Sequence, residues 1–273
     1  MGKLEGKVAI VSGSGRGIGR ACALKLASEG ARVVVNDLDA EPAAEVVAAI
    51  KSAGGEAIAV AGSVTADGFA ERFVGAAVEN FGGLDIIVNN AGFTWDSVIQ
   101  KMSDEQFDAI LDVHLKAPFR ILRAAIGVIR DAAKRDAEAG REVFRKVVNV
   151  SSISGTHGNA GQTNYSTAKA GITGMTRTLA KEWGRYKVNV NAVAFGYIVT
   201  RMTQATEAAG TTVNVGGRDV PAGIPAQQVR LMEAGIPLGR GGTPEEAANS
   251  IYLLCTPEAN YISGHVLMVT GGL

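Results

Sequence analysis

The sequence predicts an α/β fold: a doubly wound parallel sheet of seven strands with helices on both faces. Seven short runs rich in Val and Ile, at residues 8–11, 32–35, 57–60, 86–88, 147–150, 188–193 and 266–269, are apolar on consecutive positions. That is the pattern of strands covered on both sides, as a parallel sheet requires. Between them, residues 19–28, 43–53, 69–81, 105–129, 165–185 and 244–254 carry helical periodicity. Strict alternation of strand and helix selects crossovers on both faces of one sheet.

The first strand runs into Ser12-Gly13-Ser14-Gly15-Arg16-Gly17-Ile18-Gly19, directly before the first helix. Glycines let the backbone turn sharply and approach a phosphate. The exposed N–H groups and the positive end of the helix dipole then offset its charge. The second strand, Val33-Val34-Val35-Asn36-Asp37, ends in a carboxylate eighteen residues after Gly19. In a dinucleotide fold that strand delivers an acid to the adenosine ribose hydroxyls. Asp37 therefore predicts NAD(H) in preference to NADP(H), because a 2′-phosphate there meets like-charge repulsion. Arg16 argues the other way, as a cation that can receive such a phosphate, but Leu38 adds no compensating charge.

The fourth strand leads into Asn89-Asn90-Ala91-Gly92, and the fifth ends near Ser152, thirteen residues before Tyr165. Tyr165 and Lys169 follow in Asn164-Tyr165-Ser166-Thr167-Ala168-Lys169-Ala170-Gly171. On a helix, positions i and i+4 share a face, so an ammonium beside the phenol is expected to favour its ionised form and allow proton exchange near neutral pH. The spacing alone is weak evidence, since a half-buried tyrosine beside a snorkelling lysine is common.

Two segments interrupt the alternation. Residues 130–146 are dense in alternating charge and read as a solvated helix extension. Residues from about 201 to 240 contain Gly210, Gly216, Gly217, Pro221, Gly223, Pro225, Gly235 and Pro237. A loop of this length in a compact domain reads as a substrate lid.

Composition sets the remaining bounds. No linker or composition break divides the 273 residues, so one domain over 1–273 is expected. Lys plus Arg and Asp plus Glu both total 27, which argues against nucleic acid or anionic lipid as a partner and for a small molecule. Cys22 and Cys255 are too sparse for a disulfide framework or a zinc site, so no metal is expected and a reducing interior suits them. No signal-peptide core precedes the first strand, and no run reaches the ~18 apolar residues of a membrane span. A soluble cytoplasmic protein is the expectation.

With the glycine loop, Asn89 to Gly92, Ser152, Tyr165 and Lys169 in this order, the chain closely resembles the classical short-chain dehydrogenase/reductase family over nearly all its length. Within it, the sequence is most similar to bacterial, actinobacterial-type 3-oxoacyl-ACP reductases, with some likeness to hydroxysteroid and hydroxyacyl-CoA dehydrogenases. The resemblance implies a Rossmann-type domain and hydride transfer between a nicotinamide and a carbonyl or secondary alcohol. Tyr165 would be the acid/base, Ser152 would hydrogen-bond the reacting oxygen, and Lys169 would tune the phenol and hold the nicotinamide ribose. His114 occupies the family's fourth catalytic position, usually asparagine, where a main-chain carbonyl does much of the work. The cofactor would meet Gly13, Ser14, Arg16, Gly17, Ile18, Gly19, Asp37, Leu38, Ser63, Val64, Asn90, Ala91 and Gly92, then Tyr165, Lys169, Gly196, Ile198 and Thr200. Ser63-Val64 stands where the family usually has Asp-Val, and Phe195-Gly196 where it usually has Pro-Gly. Relatives pair their long helices, here 105–129 and 165–185, so a homodimer or homotetramer is implied.

Substrate-facing candidates are Phe93, Thr94, Trp95, Ser154, His157, Gln162 and the segment from Thr203 onward. An acyl thioester suits this uncharged set, and so does a steroid or another secondary alcohol. Arg123, Arg130, Arg201, Arg218 and Arg230 are candidates for meeting an acidic carrier protein. A catalytically idle nucleotide-binding regulator is the alternative from another class, against which the complete Ser152, Tyr165 and Lys169 set argues.

Overall fold

The computed structural model describes residues 2–206 and 212–273. Strand and helix alternate through β1 (Val8–Val11), α1 (Gly17–Ser28), β2 (Arg32–Asp37), α2 (Ala40–Ser52), β3 (Ala57–Ala61), α3 (Phe69–Phe81) and β4 (Ile86–Asn89). Next come α4 (Asp104–Leu111), α5 (Ala117–Glu138), β5 (Arg145–Ser152), a single turn α6 (Ile153–His157), α7 (Thr163–Trp183) and β6 (Val188–Phe195). Short strands β7 (Ala205–Thr206), β8 (Thr212–Val215), β9 (Arg218–Pro221) and β10 (Ile224–Pro225) precede α8 (Ala226–Gly235), α9 (Pro244–Cys255) and β11 (Val266–Val269).

The seven expected strands form one sheet in the order β11-β6-β5-β4-β1-β2-β3, every pair parallel. Successive strand side chains point to opposite faces, and the core divides accordingly. Ala9, Val11, Val33, Val35 and Val88 pack with Leu26 of α1, Ile50 of α2 and Ile251 of α9. Val8, Ile10, Val34 and Ile87 face Phe69 and Phe73 of α3, Ile121 and Ile129 of α5 and Trp183 of α7. Two helix starts are written in the sequence as capping boxes, Ser103 with Gln106 for α4 and Thr243 with Glu246 for α9.

Three expectations need correction. The helix expected over 105–129 is interrupted at Asp112–Lys116 by a π turn, in which the Ala117 N–H reaches back five residues to the Asp112 carbonyl. The charged segment 130–146 is solvated only in part. Its helix ends at Glu138, and Arg145 and Lys146 enter β5 at 6% and 4% exposure. Arg145 is paired with Asp136 at 2.7 Å, and Lys146 donates to Asn189 at 2.8 Å and Asn260 at 2.7 Å. Buried charges persist where partners replace their lost water. Finally, the 201–240 segment is no plain loop. β7 pairs with β10, β8 and β9 form an antiparallel hairpin around Gly216 and Gly217, and α8 follows. Gly210 lies outside the described residues. Among those residues no helix is long and apolar enough to cross a membrane.

Candidate active site

β1 pairs with β2 on one side and β4 on the other, so the connections leaving its carboxyl end diverge and open a crevice, the usual binding place in such sheets. A cleft of about 1140 Å³ occupies it. The loop after β1 is fixed by its neighbours. The Asn90 side chain donates to the Ser12 carbonyl at 3.0 Å and the Gly13 carbonyl at 2.9 Å, and the Gly13 N–H donates to Asn36 Oδ1 at 3.1 Å. Gly13 has φ +62°, and a Cβ there would lie 2.7 Å from the Ala91 Cα, so only glycine fits. Gly13, Arg16, Gly17, Ile18 and Gly19 line the cleft. Ser14 does not: it is fully buried, and its hydroxyl ties β1 to β2 by donating to the Val11 carbonyl and accepting from the Asn36 N–H. Its place among the cofactor contacts is corrected to a supporting one.

At the next stretch Asp37 is 7% exposed and accepts from the N–H groups of Gly15 at 3.1 Å and Asp39 at 3.2 Å. Arg16 reaches Asp37 at 2.9 Å and Asp39 at 3.0 Å, so its guanidinium is already held by two carboxylates. Leu38, Ser63, Val64, Asn90, Ala91 and Gly92 all border the cleft. The Ser63 hydroxyl is engaged with Thr65, at 2.8 Å to its hydroxyl and 3.2 Å from its N–H. Asn89 lies off the cleft, donating to Asn149 across the β4–β5 pair.

The far end gathers the candidate chemical groups. Ser152 closes β5 and its Oγ caps α6 by accepting from the Ser154 N–H at 3.1 Å. Tyr165 stands in the first turn of α7 with Lys169 one turn on, and the Lys169 Nζ is 5.5 Å from the Tyr165 ring centroid. Lys169 is 3% exposed and donates to the Val150 carbonyl at 2.6 Å. Loss of water dominates both groups. It pushes the phenol up to about 12, against a hydrogen bond with Ser152 and helped by the Asp96 charge. It pushes the lysine down to about 7. The expected lowering of the phenol by a neighbouring ammonium is thus reversed, because burial raises the phenol directly and weakens the ammonium that was to lower it. Gly196, Ile198 and Thr200 line the same end, and Thr203 Oγ1 accepts from the Thr200 N–H at 2.9 Å.

His114 sits inside the π turn at 4% exposure. Burial, then the Lys169 charge, hold its pKa well below the ordinary value, so the ring is neutral. Nε2 lies 2.7 Å from the Phe93 carbonyl and 3.3 Å from the Phe93 N–H, so the tautomer decides which of the two it bonds, the shorter contact favouring the proton on Nε2. The ring meets Tyr165 edge to face, with centroids 5.0 Å apart. A side chain at Gly92 would fall on this imidazole, so that glycine makes the room for it.

Of the substrate-facing candidates, Phe93, Thr94, Ser154, His157 and Gln162 line the cleft; Trp95 does not, and its ring lies 6.0 Å under the Arg218 guanidinium. Arg218 also reaches Glu105 at 3.2 Å. Sequence reasoning missed Asp96, which takes a 2.7 Å hydrogen bond from Gln162. It also missed Asn164, fully buried beside Tyr165 and donating to the Trp95 and Gln106 carbonyls. Asn164 opens the run that carries Tyr165 and Lys169, and Asp96 directly follows Trp95, so adjacency to those residues is the signal the sequence offers for both. The β8–β9 hairpin, which contributes Asn214, Val215, Gly216 and Arg218 to the wall, was signalled by the Gly216-Gly217 pair in the sequence.

The residues fit a nicotinamide dinucleotide. The amino end of α1 has no side-chain cap and no acidic residue in its first turn, so its free N–H groups remain for a pyrophosphate. A carboxylate stands at the ribose position and the buried lysine at the other end. A family model described as enoyl-(acyl carrier protein) reductase matches residues 13–273. The chain is 35% identical to a 3-oxoacyl-(acyl-carrier-protein) reductase of Thermotoga maritima, over 99% of both chains. It is 38% identical to one of Vibrio cholerae, over 99% of this chain and 98% of that one. It is 41% identical to a hydroxyacyl-CoA dehydrogenase of Mycobacterium tuberculosis, over 98% of this chain and 78% of that protein. Full-length similarity at this level, on a seven-stranded parallel sheet with the dinucleotide loop at its first turn, places the chain in the classical short-chain dehydrogenase/reductase family, oxidoreductases acting on CH–OH groups with a nicotinamide cofactor.

Proposed function

We propose that this enzyme interconverts 3-oxoacyl and 3-hydroxyacyl thioesters, carried on CoA or on an acyl carrier protein, with NAD(H) preferred over NADP(H). The observation that carries the reading is the convergence of Ser152, Tyr165 and Lys169 at one end of a cleft whose other end holds Asp37. The named activities of the relatives support the substrate class. For the cofactor, a 2′-phosphate beside Asp37 would face a carboxylate, and Arg16, the cation that could receive it, is occupied by Asp37 and Asp39.

In this reading the glycine loop and the start of α1 hold the pyrophosphate, Asp37 the adenosine ribose, and Lys169 the nicotinamide ribose. When bound, the nicotinamide supplies or accepts the hydride. Tyr165 gives its proton to the oxygen of the carbonyl being reduced, and Ser152 donates a hydrogen bond to the same atom. A phenol near 12 is fully protonated at neutral pH, the form needed to protonate an alkoxide as it develops. In the reverse direction Tyr165 must accept that proton, and an ammonium at Lys169 favours the phenolate. His114 acts as a wall: its neutral ring packs on the phenol and offers no charge.

The reading extends to a single domain over residues 1–273 acting in the cytoplasm, where two free buried thiols, Cys22 and Cys255, stay reduced. It also includes pairing of two or four copies through α5 and α7, whose shared groove is lined by Phe119, Ile126, Met175 and Leu179. A steroid or another bulky secondary alcohol is the second reading of the substrate, favoured by the apolar stretch of Met202, Leu231, Met232 and Ile236 along the cleft.

Initial rates with NADH and NADPH against acetoacetyl-CoA, a steroid ketone and cyclohexanone test the reading. Acetoacetyl-CoA with NADH is expected to win by about tenfold or more, as one unfavourable charge contact implies; a preference for NADPH overturns the role of Asp37. Tyr165→Phe is expected to lower turnover by at least about a hundredfold while cofactor affinity, measured by nucleotide fluorescence, stays near wild type. His114→Asn is expected to keep turnover within about tenfold, and a loss of about a hundredfold would make the imidazole a proton-transfer group. Lys169 predicts a pH dependence of stability without ligand. In the fold it loses its proton near 7, whereas in the unfolded chain it keeps it to about 10.4. The unfolded state then binds more protons across that window, so stability rises from pH 7 to about 10. Lys169→Met should flatten most of this rise in urea titrations at pH 7 and 9, the remainder belonging to Lys146, whose ammonium burial pulls down to about 8; an unchanged slope would assign the rise to Lys146 alone.

A further inference from the structure

We infer that Gln162, fixed in one orientation by Asp96, is a specificity-determining donor that recognises a second carbonyl on the substrate, so that the site selects 1,3-dicarbonyl compounds over simple ketones. The inference deepens the thioester reading above and rests on it for the identity of the natural substrate.

An amide side chain can be turned end for end unless its neighbours forbid it. Here they do. Gln162 Oε1 accepts from Ser154 Oγ at 2.9 Å and from Asn159 Nδ2 at 3.0 Å, while Nε2 donates to Asp96 Oδ2 at 2.7 Å. A carboxylate only accepts, so exchanging the amide ends would set oxygen against oxygen at Asp96. Both lone pairs of Oε1 are then in use, as is one of the two N–H groups of Nε2. Among the described residues, the one group on this side chain without a partner is an N–H, and what it takes must be an acceptor.

The backbone holds that donor beside the chemistry. Gln162 precedes α7 directly, and its carbonyl accepts from the Ser166 N–H at 2.7 Å, so it belongs to the same turn as Tyr165. The strand-like segment carrying Asp96 is laced to it: Ser97 bridges Gln162 in parallel, and the Ser97 N–H donates to the Gly161 carbonyl at 2.9 Å. Asn164 draws the Trp95 carbonyl onto the same turn at 3.1 Å. Asp96, Ser154, Gln162 and Tyr165 all line the cleft, and the Asp96 charge is close enough to act on the phenol. With one substrate carbonyl at Tyr165 and Ser152, a donor three residues earlier on the turn suits a second acceptor near the first. A 3-oxoacyl thioester carries such an acceptor in its thioester carbonyl; a simple ketone carries none. Asp96 is a positioning residue in this scheme, since it acts through Gln162.

Kinetics with saturating NADH on wild type, Gln162→Met and Asp96→Asn test the inference, using ethyl acetoacetate as a probe with two carbonyls and cyclohexanone as a probe with one. Gln162→Met is expected to raise KM for ethyl acetoacetate about tenfold with kcat nearly unchanged, the size of one lost hydrogen bond, and to leave both constants for cyclohexanone within about twofold. Asp96→Asn, which also removes a charge that acts on the phenol, is expected to raise the ratio of the two KM values about tenfold, any change in kcat being common to both probes. Equal losses on the two probes would reduce Gln162 to wall packing and overturn the inference, as would unchanged constants for ethyl acetoacetate. Equilibrium titration of ethyl acetoacetate, read by tryptophan fluorescence, gives the same comparison where turnover is slow. Should Asp96→Asn fail to fold, Gln162→Met decides alone. Wild-type turnover of acetoacetyl-CoA no faster than that of cyclohexanone would sink the thioester reading, and the ethyl acetoacetate comparison would still judge the donor.

Discussion

The site depends on hydrogen bonds across the reversal of strand order at β1. Asn90 donates its side-chain N–H groups to the Ser12 and Gly13 carbonyls, and Ser12 Oγ accepts from the N–H groups of Asn90 and Ala91 at 3.0 and 3.1 Å. Those bonds hold together the two connections that the topology drives apart. They also occupy the Ser12 and Gly13 carbonyls, and since the N–H groups of Ser12 to Gly15 are taken by Val88, Asn36 and Asp37, the donors left for an anion are those at the start of α1. A loop whose carbonyls faced the cleft would repel an anion; here Asn90 holds two of them. The absence of a side-chain cap on α1 follows the same logic, because a cap would fill the place an anion needs.

At the other end, burial is the controlling term. The same removal of water raises the phenol and lowers the lysine, so without ligand both groups lean to their neutral forms. Two neutral groups side by side are cheaper to bury than an ion pair with few further partners. The Val150 carbonyl gives Lys169 one acceptor at 2.6 Å, enough to orient the amine along the strand end but not to restore its full charge. Beside them Ser152, which hydrogen-bonds the phenol, and the neutral His114 ring packed edge to face on it hold the phenol in place.

Seven strands, their parallel order and the glycine loop were legible in the sequence because each obeys a local pattern: apolar runs of the right length, a glycine-rich turn, an acid at a strand end. Features set by tertiary contact were not. Nothing in Asp112-Val113-His114-Leu115-Lys116 distinguishes a π turn from an α-helix, since the extra residue is absorbed by the packing of α4, α5 and α7. Arg145 and Lys146 read as solvated because charge predicts exposure, and only the pairing with Asp136, Asn189 and Asn260 overturns that. Ser14 and Trp95 were placed by proximity in sequence to true lining residues, and a one-residue step in a loop is enough to turn a side chain away. Asp96 is the instructive omission: its meaning lies in a bond to Gln162, 66 residues away.

The hairpin of β8 and β9 joins the two ends of the cleft in one element. Its tip at Gly216 lies against Leu38, next to Asp37, while Arg218, two residues on, reaches Glu105 and Trp95. One of its fastenings is slight, while Val220 on β9 is fully buried. The Arg218–Glu105 pair is 44% and 65% exposed, and exposed pairs contribute roughly 0–1 kcal/mol. The walls beneath are strands and helices packed on both faces of the sheet, each large apolar side chain worth about 1.5–3 kcal/mol when buried. The exposed pair at Arg218 thus contributes little beside the burial of Val220, and the hairpin keeps its place along the cleft by the same apolar packing that holds the walls.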